Sequence, residues 1–211
     1  MGIKKSLIPL LICCCRSNMR LRFILVNLVI LMFVVFLANV PLSAQDLNVF
    51  KSPEFGFSLD YPNFMHLDDS KTPYTKFKVV TEDRSVAYSI SVHEANSLKG
   101  KTQKEVSDAM FADPSPIIEQ SKPWFPDFQI VKKEIVQFCN LPAFMFVAAY
   151  SQESLGLKTN CKSLSILQHR ENRVYTITFS SLATDFEKLE EVFVNLFSLI
   201  RLFEPVKEFT E

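Results

Sequence analysis

Apolar and polar residues alternate along three segments in the first half of the chain. Residues 55–61 carry an apolar or aromatic side chain at every second position, and a Tyr-Pro-Asn turn ends this run. Residues 77–79 begin a second run, and residues 86–93 alternate between apolar and mostly small polar side chains. Because a period of two places alternate side chains on opposite faces of a strand, these segments predict three half-buried β-strands.

Four further strand-like segments follow one another in the second half of the chain. They cover residues 128–136, 143–150, 161–170 and 174–180, and short segments rich in Asn, Gly or Pro separate them. Short connections join neighbouring antiparallel strands, so these segments predict an antiparallel meander.

Two segments have the period of a helix instead. Thr102 and Glu105 have the spacing of a capping box, which predicts a helix over about residues 102–112. Residues 184–187 repeat this spacing before an apolar stripe that predicts a second, stronger helix. The stripe consists of Phe186, Leu189, Phe193, Leu196 and Ile200. Strands and helices together predict an α+β domain, an antiparallel β-sheet flanked by helices.

Prolines interrupt the stretch between the two predicted helices. Four of them lie within the thirteen residues 114–126, so no regular helix is expected there. The same stretch contains Trp124 and Phe125 between two prolines. An exposed aromatic pair on a loop is typical of an interface anchor, so both residues are candidates for binding a partner. The alternative is that the aromatic residues belong to the core.

The N-terminal residues have the order of a secretory signal. Two arginines precede an apolar run over residues 23–40, and Pro-Leu-Ser-Ala follows it. We therefore expect residues 1–44 to be a cleavable leader with its true start at Met19, and residues 45–211 to be the mature domain. An uncleaved signal would anchor the chain to a membrane. The predicted location is extracytoplasmic, either periplasmic or secreted.

Charge and cysteine content narrow the possible partners and crosslinks. The chain has no net charge, but without residues 1–44 it carries 18 basic and 23 acidic side chains, a net charge of −5. This balance argues against nucleic acid as a partner, because phosphate backbones are bound by clustered Lys and Arg. The domain retains Cys139 and Cys161. The predicted hairpin places Cys161 opposite residue 149 and far from Cys139, so two separate buried thiols are expected.

Residues with catalytic or metal-binding chemistry are sparse. The glycines of the domain are isolated, and neither a GxSxG nor an HExxH motif occurs, so we expect a protein that is not an enzyme and has no cofactor. His66, Asp68 and Asp69 combine nitrogen and carboxylate donors and form a candidate metal site, for which solvated polar surface is the alternative. His169 is expected in an ordinary charged turn.

Three segments resemble the PsbP-like domain family, which includes exported bacterial proteins of unassigned role. In residues 50–62 a Gly-Phe pair leads into a strand that ends in Tyr-Pro. Residues 138–144 are similar to the central turn of the family, although the Gly often found there is replaced. Residues 172–179, followed by a helix to Leu202, resemble the last strand and helix. The resemblance covers about residues 48–203 and implies an α/β/α sandwich with a non-enzymatic accessory or binding role.

These observations predict an exported accessory or binding protein. It would engage a protein partner at a membrane or cell envelope through surface loops such as residues 113–127. The alternative is an extracytoplasmic binder or carrier of a small apolar ligand or a metal ion, for which the Phe-rich sheet or the loop histidines would form the site.

Overall fold

The computed structural model describes residues 46–69, 72–154 and 156–205. The chain divides after Gln45 into two units, and all described residues belong to the second. The predicted leader, its cleavage site and the start at Met19 lie outside the described residues. Within the described ranges, no helix is both long enough and apolar enough to cross a membrane.

The described residues form ten strands and three α-helices. The strands are β1 (Leu47–Ser52), β2 (Phe57–Pro62), β3 (His66–Leu67), β4 (Thr75–Val80), β5 (Val86–Glu94), β6 (Gln129–Phe138), β7 (Leu141–Ser154), β8 (Leu157–Arg170), β9 (Arg173–Leu182) and β10 (Ile200–Leu202). The helices are α1 (Gln103–Ala112), α2 (Ser115–Ser121) and α3 (Phe186–Phe197). A single 3-10 turn, Asn96–Leu98, follows β5.

Seven strands form one antiparallel sheet in the order β3-β4-β5-β9-β8-β7-β6. The predicted meander from β6 to β9 is confirmed, and β9 returns to pair with β5. Tyr150 lies opposite Cys161, one residue from the predicted position. Cys161 is buried as expected, whereas Cys139 is half-buried, and its thiol lies 3.7 Å from the carbonyl oxygen of Ile200.

Helix α3 packs on one face of this sheet through stacked aromatic rings. The ring of Phe179 on β9 lies 3.9 Å from that of Tyr88 on β5 and 5.0 Å from that of Phe193 on α3. Phe193 is 2% exposed, and the other two side chains are fully buried. Rings of this size contribute several kcal/mol each to stability through their buried apolar area, on the order of 25 cal/mol per Å². We call this side of the sheet the aromatic face.

A smaller sheet of β1, β2 and β10 packs on the aromatic face beside α3. The ring of Phe50 on β1 lies 4.8 Å from that of Phe77 on β4. Gly56 directly precedes β2 with a φ of +70°, and a side chain at this position would collide with the carbonyl oxygen of Phe203. The Gly-Phe pair of the sequence therefore permits the close approach of the chain that follows β10.

Helix α1 packs on the opposite face of the large sheet, where it covers β6, β7 and part of β8. The buried side chains of Phe144, Phe146 and Leu167 form the core there, with Met110 of α1 and Ile117 of α2 packed against them. The domain is therefore α+β, with the large sheet between helices on both faces, as the sequence predicts.

The expectation of no regular helix among the prolines is wrong. Helix α2 begins after Pro114, has Pro116 in its first turn, and ends before Pro123. The first turn of a helix does not need backbone N–H donors, so proline is tolerated there. A helix of seven residues therefore fits between the prolines.

The capping box of α1 is confirmed, but the second predicted capping box is not formed. Thr102 and Glu105 exchange side-chain and backbone hydrogen bonds at the start of α1. At the start of α3, Asp185 has a helical conformation and makes no capping hydrogen bond. The predicted helix also ends earlier, at Phe197, because Ile200 pairs with β2 as the first residue of a strand.

Replacing Phe179 by Ala should lower the free energy of unfolding by about 3 to 5 kcal/mol, because it removes the ring between α3 and β5. Urea unfolding followed by circular dichroism measures this change. Phe64→Ala is a matched control, since its ring is 52% exposed and its loss should cost less than about 1 kcal/mol. Equal losses in the two variants would contradict the central position of the aromatic stack.

Candidate functional site

Small polar side chains line the part of the large sheet that α1 leaves open. A depression of about 750 Å³ extends there over β4, β5, β9 and the start of β8. We call this surface the polar face. Its floor consists of Thr75, Lys78, Ala87, Ser89, Thr178 and Ser180.

Strand register brings the polar side chains into a row across the sheet. Lys78 lies opposite Ser89, Ser89 opposite Thr178, and Thr178 opposite Ser165. The hydroxyl oxygens of Ser165 and Thr178 are 3.0 Å apart. Neighbouring strands are about 4.8 Å apart, so the row presents hydroxyl groups at a regular spacing. Ser165 is 3% exposed, so the half-buried hydroxyls of Ser89 and Thr178 are the part of the row that can donate and accept hydrogen bonds at the surface.

Charged residues border the polar face on the side of β3 and the β4–β5 turn. Lys78 Nζ and Asp68 Oδ2 form an ion pair at 2.8 Å, with the Asp68 side chain 6% exposed. Hydrogen bonds from Thr81 and Ser85 lower the pKa of Asp83 to about 2, so this carboxylate is charged at any physiological pH. Arg84 follows in the left-handed conformation, with a φ of 57°, and also lines the depression.

Aromatic residues border the polar face on the opposite side. The ring of Phe125 lies 4.5 Å from that of Tyr150 on β7, and both residues line the depression. Burial raises the pKa of Tyr150 to about 12, so its phenol remains neutral. The structure separates the predicted aromatic pair: Phe125 is half-buried, whereas Trp124 is 76% exposed.

Several hydrogen bonds hold the segment that carries Trp124. The backbone N–H groups of Trp124 and Phe125 both donate to the carbonyl oxygen of Ser121 at 3.0 Å. Asp127 accepts hydrogen bonds from the backbone N–H and the hydroxyl of Ser151 on β7. The indole therefore projects from a backbone that is fixed to the end of α2 on one side and to β7 on the other.

The three residues of the candidate metal site are close together in sequence and lie at the edge of the large sheet. His66 on β3 and Asp69 are exposed, and the Asp68 carboxylate is paired with Lys78. Within the described residues, no group of three or more His, Cys, Asp and Glu side chains could hold a metal ion. A metal site at these residues stays a prediction.

A shallow apolar groove of about 320 Å³ lies on the aromatic face between β6 and the end of α3. Met145, Ile166, Val194 and Phe197 line it. The groove is a candidate site for the small apolar ligand that the sequence analysis named as the alternative. It could not be located from the sequence, because its walls come from segments about 50 residues apart.

The sequence contains a signal for the polar face that is not a catalytic or metal-binding motif. Ser89 and Ser91 on β5 and Thr176, Thr178 and Ser180 on β9 all follow the period of two. Small hydroxyl side chains repeated on one face of two strands indicate a face that is not part of an apolar core.

Tyr150 provides a test of this geometry at high pH. Its pKa is raised from 10.0 to about 12, so its phenol stays neutral in the folded protein while it ionises in the unfolded chain. The free energy of unfolding should therefore fall as the pH rises from about 10 to about 12.

Over that pH range, the wild-type protein should lose about 1 to 2 kcal/mol more than Tyr150→Phe, as measured by urea unfolding at each pH. Tyr74→Phe is the matched control, because Tyr74 is 55% exposed. The control should lose as much as the wild type. Identical profiles for the wild type and Tyr150→Phe would contradict the buried phenol.

No protein-family model matches the chain, and no curated protein sequence matches it. Solved structures do match. The solution structure of cyanobacterial PsbP (CyanoP) from Synechocystis sp. PCC 6803 aligns with a TM-score of 0.52 and 12% identity, over 77% of this chain and 96% of that chain. The Ran-binding protein Mog1p of Saccharomyces cerevisiae aligns with a TM-score of 0.48 and 9% identity, over 75% of this chain and 96% of that chain.

LpqN of Mycobacterium tuberculosis, a protein involved in cell envelope biogenesis, aligns with a TM-score of 0.39 and 11% identity, over 76% of this chain and 86% of that chain. The alignment with CyanoP carries the structural conclusion, since it extends over nearly the whole of that chain. The described domain has the PsbP-like α+β fold that the sequence resemblance implies.

Proposed function

We propose that this protein is an exported, non-enzymatic accessory protein that binds a protein partner at a membrane or cell envelope. In this proposal residues 1–44 are the secretory leader and residues 45–211 the mature binding domain. The surface that contacts the partner is Trp124 together with the adjoining polar face. The exposure of Trp124 is the observation that carries the proposal.

Trp124 is the single tryptophan of the chain, and 76% of its surface is exposed to solvent. Tryptophan is the residue type most enriched among interface residues that dominate binding energy. Its backbone is held by hydrogen bonds to Ser121, so little conformational entropy would be lost on binding. An exposed and pre-organised indole is therefore well suited to insert into a pocket of a partner.

The polar face complements this apolar anchor. Phe125 connects the two, since it follows Trp124 in sequence and packs against Tyr150, and both Phe125 and Tyr150 line the depression. Protein interfaces typically combine a buried apolar centre with polar surroundings that form about one hydrogen bond per 100 to 200 Å². The hydroxyl groups of the polar face can supply such hydrogen bonds beside the indole.

The chemistry of the polar face favours binding over catalysis. A nucleophilic serine or cysteine needs a neighbouring base, and the side chains that line this depression in the described part of the chain include no histidine. Burial raises the pKa of the Cys161 thiol, which keeps it in its unreactive neutral form. These properties support a non-enzymatic role.

The apolar groove supports a second function, the binding of a small apolar ligand. Its volume of about 320 Å³ lies at the lower end of the range for small-molecule sites. A thermal shift with fatty acids tests this alternative, because a ligand that binds only the folded state raises the melting temperature. Met145→Lys should abolish such a shift without affecting a contact at Trp124.

A pull-down from native membranes with the mature domain, followed by mass spectrometry, tests the proposed function. We expect one membrane or envelope complex to be recovered, and Trp124→Ala to reduce its recovery by at least about tenfold. Phe64→Ala removes another exposed aromatic ring and should leave the recovery unchanged.

Trp124→Ala should not alter the fold, because the indole is exposed, and thermal unfolding of the variant checks this. Equal recovery of the complex by the wild type and Trp124→Ala would contradict the proposed contact. If the wild-type domain recovers no complex, the ligand-binding alternative is favoured.

A further inference from the structure

A second cleft, of about 450 Å³, lies at the opposite end of the large sheet from the polar face. It forms where the β8–β9 hairpin, the start of α1 and the chain after β10 meet. Its polar lining consists of Lys101, Gln103, His169, Arg170, Glu171, Arg173, Tyr175 and Glu204. We call it the basic cleft. Along β9, Arg173 is seven residues from Ser180 of the polar face, about 23 Å at the rise of a strand.

Two arginines lie directly opposite each other in this cleft. Arg170 and Arg173 form the last residue pair of the β8–β9 hairpin, and both are half-buried. Like charges at opposed positions of an antiparallel pair are unfavourable. The exposed Lys101 adds a third positive charge to the same cleft.

Within the described ranges, no carboxylate forms an ion pair with these three cations. The ion pairs found among the described residues all involve other side chains. Glu171 and Glu204 also line the cleft, but both are exposed to solvent, where their charge is screened. The half-buried arginines therefore retain an attraction for an added anion.

Neutral groups fix the position of Arg173. Its Nη1 donates a hydrogen bond to the carbonyl oxygen of Glu54 at 3.1 Å, and its guanidinium lies 5.9 Å from the centre of the Phe55 ring. The hydroxyl of Tyr175 donates to the carbonyl oxygen of Phe55 at 2.8 Å. A guanidinium has five N–H donors, so this arrangement orients Arg173 and leaves donors for a ligand.

His169 also lines the cleft, and the sequence prediction for it is wrong. His169 does not lie in an exposed charged turn. Strand β8 continues to Arg170, so the His169 side chain packs beneath the start of α1 and is 3% exposed. Its backbone N–H donates to Gln103 Oε1 at 2.6 Å. Its Nε2 has no hydrogen-bond partner among the described residues. His169 and Arg170 are neighbours on β8, so their side chains lie on opposite faces of the sheet, and the buried imidazole forms a wall of the cleft rather than a contact for its ligand.

We propose that the basic cleft binds a small organic oxyanion, a carboxylate or a phosphate ester that carries an apolar group. Arg170 and Arg173 would bind the oxygen atoms, since guanidinium groups match the geometry of both headgroups. The apolar group would contact Leu141 and Phe203, which line the same cleft. The volume of about 450 Å³ is within the range of small-molecule sites.

Isothermal titration calorimetry of the purified protein with phenyl phosphate, benzoate and inorganic phosphate tests this proposal. We expect saturable binding at one site by phenyl phosphate or benzoate, and the tighter of the two identifies the headgroup. Arg170→Gln should weaken this binding by about tenfold or more, because it removes a charge-assisted hydrogen bond. Lys158→Gln removes the same charge at the distant end of β8 and should change the affinity by less than about twofold.

Backbone amide resonances provide an independent readout of position. Phenyl phosphate or benzoate should shift the amide signals of Gln103 and of residues 169–173 and leave those of β3 and β4 unchanged. If Arg170→Gln does not fold, the exposed Lys101→Gln serves as the second variant and should also weaken binding. The absence of saturable binding up to about 1 mM would overturn the proposal, as would equal weakening by Lys158→Gln.

Discussion

The stacked rings of Tyr88, Phe179 and Phe193 are the interaction on which the rest of the domain depends. Phe179 belongs to β9, which joins the β3-β4-β5 part of the large sheet to the β6–β8 part. Because strand side chains alternate, the aromatic residues of β9 all lie on one face of the sheet and form the core there. The other face of β9 is then free to carry Thr178 and other hydroxyl side chains, and the polar face exists for this reason.

Local patterns of the sequence predicted most of the elements. The period of two identified the strands, and the capping box at Thr102 identified α1. The elements that sequence reasoning missed depend on contacts between distant residues. Ile200 leaves the helical stripe because it pairs with β2. Helix α2 is the exception, since it was missed for a local reason: its single proline, Pro116, lies in the first turn, where proline is tolerated.

The candidate site, too, was predictable where it depends on neighbouring residues and not where it depends on distant ones. The sequence predicted that Trp124 and Phe125 would be exposed together, but Tyr150 on a distant strand packs against Phe125 and leaves Trp124 alone in solvent. The polar face requires the register of four strands, and the basic cleft requires the meeting of three segments. Such sites are visible in sequence only as residue types, such as the paired arginines of the β8–β9 turn, and not as positions in space.

The proposed function requires that Trp124 and the polar face form one partner-binding surface. Photo-cross-linking in the source cells tests it most directly, with a photoreactive amino acid placed at position 124, at position 178 or at position 64. We expect positions 124 and 178 both to cross-link to the same protein and position 64 not to. Cross-linking to different proteins from 124 and 178, or to the same protein from all three positions, would contradict it.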